Sequence, residues 1–165
     1  MKTKKTIATI AVIFGIALAM YTACKDEPET EQPKAQSATI TGLFDNNSSA
    51  TVKGTFTDTE WEGVADKIKD ALNFRFFDTT NETLKIMFQR VYAPEKDVVI
   101  IIEKTSEYPN YKTTGDKKTI YLNYNILGYE KALRAAVGFA SGNLFTGKTD
   151  MAKATSNRRV PVTLL

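Results

Sequence analysis

Val98-Val99-Ile100-Ile101-Ile102 is the stretch on which the fold turns. Five β-branched residues in succession, with no polar position among them, form the pattern of a strand covered on both faces; a half-exposed strand alternates apolar with polar. This run is therefore placed in the middle of a sheet, and the flanking sequence must supply its neighbours and its cover. Upstream, residues 83–92 read as a strand, since Leu84, Ile86 and Phe88 alternate with Lys85, Met87 and Gln89, and Ala93-Pro94-Glu95-Lys96 turns the chain. Downstream, residues 105–118 form a long polar segment with a small hairpin expected around Gly115-Asp116, and residues 119–124 read as a further strand.

Working outward, residues 38–44 and 50–56 share an A-T-aliphatic-x-G-x-F pattern with turn chemistry between them at Asp45-Asn46-Asn47-Ser48-Ser49, the signature of two hairpin arms. Period two places Ile40, Gly42 and Phe44 on one face of the first arm and Val52, Gly54 and Phe56 on one face of the second, with the glycines leaving room for a neighbour, most simply the next helix. Thr57-Asp58-Thr59-Glu60 is a capping box, and Trp61, Val64, Ala65, Ile68 and Leu72 follow at helical spacing, with Asn73 as a stop. A second helix is expected over residues 126–141, capped by Asn125, buried through Tyr129, Ala132, Leu133, Ala136, Val137 and Ala140, and stopped by Gly142. The tail, residues 143–165, ends in Val160-Pro161-Val162-Thr163-Leu164-Leu165, which could dock as an edge strand. The order ββ-α-βββ-α predicts an α+β, two-layer domain: a mostly antiparallel sheet of about five strands with two helices packed on it.

The first two dozen residues carry an address. Lys2, Lys4 and Lys5 precede an uncharged apolar run over residues 7–20, which is shorter than the roughly 20 residues of a permanent membrane span. Tyr21-Thr22-Ala23-Cys24 closes it at the only cysteine of the protein. Basic head, short apolar middle and small-residue cleavage site are the plan of a secretory signal peptide. The end of the run resembles the lipobox of bacterial lipoproteins: Ala23 and Cys24 match the last two positions and Thr22 is acceptable, while Tyr21 stands where that family usually has leucine or another aliphatic residue. The resemblance covers residues 1–24 and implies processing, not activity. It implies that Cys24 becomes the first residue of the mature chain and carries acyl chains. Each buried CH₂ of such a chain contributes about 0.8 kcal/mol, so several would hold the protein firmly to a membrane. Cys24-Lys25-Asp26-Glu27 also resembles the signal that sends lipoproteins to the cell surface in some Gram-negative lineages. The expected organisation is a signal peptide at residues 1–23, a lipidated cysteine and mobile tether at 24–37, a globular domain at 38–142 and a tail at 143–165. The tether is inferred from two prolines, several charges and no large apolar residue, a composition that cannot offset ordering entropy.

Charge and composition narrow the chemistry. Removing the three leader lysines brings the 22 basic side chains down to 19, equal to the 19 acidic ones, so the basic balance that would suggest nucleic acid as a partner belongs to the leader. The chain has no histidine, the commonest general base and metal ligand, and its single thiol is assigned to acylation. Ser-His, Cys-His and His/Cys zinc chemistry are thereby excluded, and neither a metal nor a cofactor is expected.

Gly142-Asn143-Leu144-Phe145-Thr146-Gly147-Lys148-Thr149 fits the P-loop pattern letter for letter, but it follows an expected helix instead of a strand and precedes no helix, so it reads as coincidence. Ser141 sits in a near-match to a nucleophile elbow that no histidine can activate. Asp58, Glu60, Glu62 and Asp66 lie at a helix start, where caps and solvated faces explain them, although paired carboxylates suffice for glycoside hydrolysis. Tyr108, Tyr111 and Tyr121, with Lys112, Lys117 and Lys118 near, are the candidate ligand-binding residues, because exposed tyrosines mark binding surfaces for proteins and glycans. The sequence thus points to a non-enzymatic lipoprotein, anchored outside the cytoplasm at the outer membrane or cell surface, whose domain binds a protein or glycan. A structural or assembly component of the envelope and a carboxylate-based hydrolase are the alternatives.

Overall fold

The computed structural model describes residues 31–151, and the signal peptide, Cys24 and the segment Val160–Leu165 lie outside the described residues. The chain divides at Glu31/Gln32, and all that follows concerns the second unit. Its order is β1 (Lys34–Leu43), β2 (Ser48–Phe56), α1 (Asp58–Trp61), α2 (Val64–Asp78), α3 (Glu82–Val91), β3 (Val99–Glu103), β4 (Tyr111–Thr114), β5 (Thr119–Asn123), α4 (Glu130–Thr146) and β6 (Thr149–Met151), with 3₁₀ turns at Pro94–Lys96 and Tyr124–Gly128. The fold is α+β in two layers.

One six-stranded sheet runs β1-β2-β3-β5-β4-β6. The pairs β1–β2, β4–β5 and β4–β6 are antiparallel, whereas β2–β3 and β3–β5 are parallel, so the sheet is mixed at its centre. A parallel neighbour demands a crossover. The three helices α1–α3 provide it between β2 and β3, and a loop that passes beyond β5 to β4 provides it between β3 and β5. The β-branched run does lie centrally: Ile100 and Ile102 are buried under the helices, while Val99 and Ile101 are half-buried on the opposite face. Ile40, Val52, Ile120 and Leu122 extend the helix-covered face, and Ile68, Leu72, Leu133, Val137 and Leu144 close the core from above.

Several sequence expectations are corrected. Residues 83–92 form helix α3, not a strand. Asn81 caps it by accepting from the backbone N–H groups of Thr83 and Leu84, and Met87, Phe88 and Val91 are its buried residues. The stretch satisfies both periods; the cap and the aromatic cluster that receives Phe88 select the helix. The capping box at Thr57 and Glu60 is present, but it starts only the short α1; Gly63, at φ +68°, lets the chain restart as α2. Asn73 does not stop α2, which runs on to Asp78. The second long helix begins after a 3₁₀ turn capped by Asn123, so Tyr129 precedes it and is 70% exposed instead of buried. Gly142 lies inside α4, and the left-handed Gly147 ends it. Lys34 to Ser37, assigned to the tether, pair with Lys53 to Phe56 in β1, and residues 143–151 complete α4 and add β6. The domain therefore extends beyond 38–142 at both ends.

Candidate functional site

The P-loop look-alike is settled by its surroundings. It occupies the end of α4, the left-handed Gly147 and the start of β6, which is helix-turn-strand, the reverse of the order that presents backbone N–H groups to phosphate. Ser141 is fully buried in α4 and donates to the Val137 carbonyl at 2.6 Å. Its oxygen is 2.8 Å from the Tyr92 hydroxyl, which therefore donates to it. It is a packing residue with its hydrogen bonds satisfied.

Of the acids at the helix start, Asp58 and Glu60 are ion-paired. Asp58 accepts from Lys34 and Gln36, and these bonds hold its carboxyl below the usual range. Glu60 accepts from Lys104 and from the Thr57 backbone N–H, with the same result. A general acid for glycoside cleavage needs its value raised, the opposite direction. Among the described residues, no group of three or more His, Cys, Asp or Glu side chains stands where it could hold a metal ion.

The structure separates the three tyrosines. Register pairs Tyr111 with Leu122 and Lys112 with Tyr121, so Tyr111 points to the helix-covered face and Tyr121 to the open one. Tyr111 is buried at 7% exposure, and Tyr108 is fully buried. Residues 104–110 fold down on the open face of the sheet, where the Tyr108 hydroxyl donates to Glu103 at 2.7 Å. Burial, reinforced by the Glu103 carboxylate, pushes the Tyr108 hydroxyl well above the usual tyrosine value. Asn123 pins the loop, donating from Nδ2 to the carbonyls of Thr105 and Tyr108, each at 2.7 Å. Lys112 bridges the tyrosines that remain together, its Nζ 5.0 Å from the Tyr121 ring centroid and 5.4 Å from that of Tyr108. The segment lies flat, and only half-buried Tyr121 offers part of its surface.

A concave site opens elsewhere. A cleft of about 520 Å³ lies between the last turn of α3, the 3₁₀ turn Pro94–Lys96, the β4–β5 hairpin and the last turn of α4. Val91, Leu144 and Phe145 form its apolar wall, with Leu144 buried and Phe145 47% exposed. Arg90, Lys96 and Lys117 surround it against one acid, Glu95. Among the described residues none of these three cations is ion-paired. Two of the surrounding turns hold non-glycine residues in the left-handed region, Asp97 at φ +50° and Lys117 at φ +61°. The hairpin tip keeps Lys117 in place because Asp116 accepts from the backbone N–H groups of Lys118 and Thr119, both at 2.8 Å. Gly147 leaves the space that the Lys117 stem crosses: a Cβ there would stand 2.5 Å from Lys117 Cε. Arg90 also faces the negative end of the α3 dipole.

Sequence reasoning missed this cleft. Its residues are scattered from 89 to 145, and Arg90 was assigned to a strand. The usable signal was the cap at Asn81, which makes α3 a helix and brings Arg90 and Val91 to its last turn.

No family model, no curated protein and no solved structure matches the chain. The site's own chemistry is what bears on function.

Proposed function

We propose that this protein is a bacterial lipoprotein, anchored outside the cytoplasm through acylated Cys24, whose domain is a non-enzymatic binding module for an acidic segment of a protein or glycan. The basic cleft is the observation that carries the ligand class. It combines an apolar wall, an exposed aromatic ring and three cations with no ion-pair partner among the described residues, in a volume within the roughly 300–1,000 Å³ of ordinary ligand pockets. Three cations around one acid favour a ligand bearing several negative charges. The leader and the lipobox-like Cys24 support the address, and the intervening charged, proline-containing residues suit a leash between lipid and domain. Outer membrane or cell surface is the location this reading favours.

Two experiments test it. Radioactive palmitate fed to cells making the protein should label it, and Cys24→Ala should abolish the label and release the protein from membranes; an unlabelled, membrane-free protein rejects the address. Calorimetric titration with polyglutamate and with polygalacturonate asks for the ligand. Binding of either that weakens with added salt, and drops at least tenfold in the triple variant Arg90→Gln, Lys96→Gln, Lys117→Asn, supports the cleft. Asparagine is chosen for residue 117 because it tolerates the left-handed backbone. Affinity unchanged in that variant, or no binding of either polymer, overturns it.

A further inference from the structure

The two edges of the sheet differ. β6 pairs with β4 through three residues, Thr149 to Met151, and so presents a short edge. β1 is ten residues long, and among the described residues its only strand partner is β2. From Lys34 to Ile40 that pairing runs one for one, and the register shifts only between Ile40 and Leu43.

The far side of β2 fixes which backbone groups of β1 point outward. Thr51 donates its N–H to the Val98 carbonyl, so its peptide groups face β3. Thr51 stands opposite Thr39, which therefore turns its own N–H and C=O away from β2. Alternation along an antiparallel pair gives Ser37, opposite Lys53, the same outward direction. Ser37 and Thr39 are exposed. A row of outward N–H and C=O groups matches one class of partner, another β-strand.

Folded proteins keep such an edge from pairing with charges, with proline or with a covering segment. Ala35 to Leu43 contains neither a charge nor a proline. The strand's one charge, Lys34, stands at its end and is ion-paired with Asp58 at 2.7 Å. The pattern suits a second copy. Antiparallel pairing about Ala38 sets Ser37 of each copy opposite Thr39 of the other, twice over, as a two-fold axis requires. Hydroxyl pairs of this kind stabilise adjacent strands, and this register brings no like charges opposite each other. With the axis normal to the sheet, both helical layers stay on one side and the six strands of each copy join in one sheet.

We propose that β1 pairs with β1 of a second copy in this register, making the protein a homodimer. The test is sedimentation equilibrium of the purified full chain in mild detergent, with hydrogen exchange alongside. The chain should sediment as a dimer, and the Ser37 and Thr39 amides should exchange slowly, with protection that fades on dilution. Ser37→Pro removes an outward donor at an edge position that tolerates proline, and should weaken the dimer at least tenfold with circular dichroism unchanged. Thr39→Lys and Thr39→Glu each bring like charges together beside the axis and should each weaken it, while an equal mixture of the two should dimerise at least tenfold more tightly than either alone. A monomer, which would leave the edge to a strand of another protein, overturns the proposal. So does a dimer whose Ser37 and Thr39 amides exchange freely, or one that the charge variants leave unchanged. The mixing result stands even if Ser37→Pro fails to fold.

Discussion

Phe44 sits at φ +61°, a conformation that a bulky residue adopts only when its surroundings compel it. Two contacts do so. Its backbone N–H donates to Asn73 Oδ1 at 3.0 Å, and its ring stacks on Phe76 at 4.7 Å while meeting Phe88 and Tyr92. Asn73→Ala is therefore expected to lower stability by about 1–3 kcal/mol, the cost of leaving that N–H without its partner. Urea denaturation measures it, and an unchanged midpoint would mean the ring stack alone holds Phe44. Gly54 makes a second residue-scale prediction. A Cβ there would stand 2.3 Å from the Phe56 ring and 3.1 Å from the Ile102 carbonyl oxygen. Gly54→Ala must displace a buried ring that stacks on Tyr124 at 4.9 Å, so a loss of about 1–3 kcal/mol is expected in the same assay. Sequence reading foresaw that Gly54 makes room for a neighbour. The neighbour is its own strand's Phe56 and not a helix, because β2 twists that ring back across the glycine. Gly42, by contrast, serves the irregular register between Ile40 and Leu43, with φ +65° and no atom within contact distance of a Cβ.

Among elements, the loop 104–110 shows how one side chain fastens a connection. Asn123 is 2% exposed, donates to two loop carbonyls and accepts from the backbone N–H of Asn125. Asn123→Ala should free the loop without unfolding the sheet. Hydrogen exchange at residues 104–110 should accelerate while that of β3 and β5 stays slow; uniform acceleration would place Asn123 in the global core instead. The candidate binding tyrosines illustrate why sequence alone misplaced the site. Tyr108 and Tyr111 are three positions apart in a polar segment, which reads as exposure. Yet the loop folds on the sheet and the strand that follows turns Tyr111 to the other face. The hairpin at Gly115-Asp116 was legible because its Asp caps its own turn, a purely local effect. The helix at Glu82–Val91 was not, since Leu84, Met87, Phe88 and Val91 at helical spacing coexist with Leu84, Ile86 and Phe88 at strand spacing.

For the whole molecule, the buried phenols make stability depend on pH. Burial raises the Tyr92 hydroxyl above its usual value, and burial together with the Glu103 carboxylate raises Tyr108. An unfolded tyrosine titrates near about 10. Below that both states keep the proton; above it only the unfolded chain releases it, so stability is full below about pH 10 and declines as pH rises further. Urea midpoints measured from about pH 8 to about pH 11 should fall with pH, and Tyr92→Phe should flatten the slope. A midpoint independent of pH over that window would show that the phenols ionise freely in the fold. At acid pH the lowered carboxyls of Asp58, Glu60 and Asp116 act in the opposite sense, their contribution being lost as pH falls through their folded values.

By itself the sequence determined the α+β class, the central place of the Val98–Ile102 run, the first hairpin, the capping box and the end of any histidine-based chemistry. Each of these follows from residue identity or from contacts a few positions apart. Only tertiary structure decided that the sheet is mixed, that residues 82–91 are helical, that the tyrosines divide between two faces, and that Arg90, Lys96 and Lys117 converge. Those outcomes depend on which surfaces meet across the core, and pairings of distant segments leave no period and no spacing in the chain to be read.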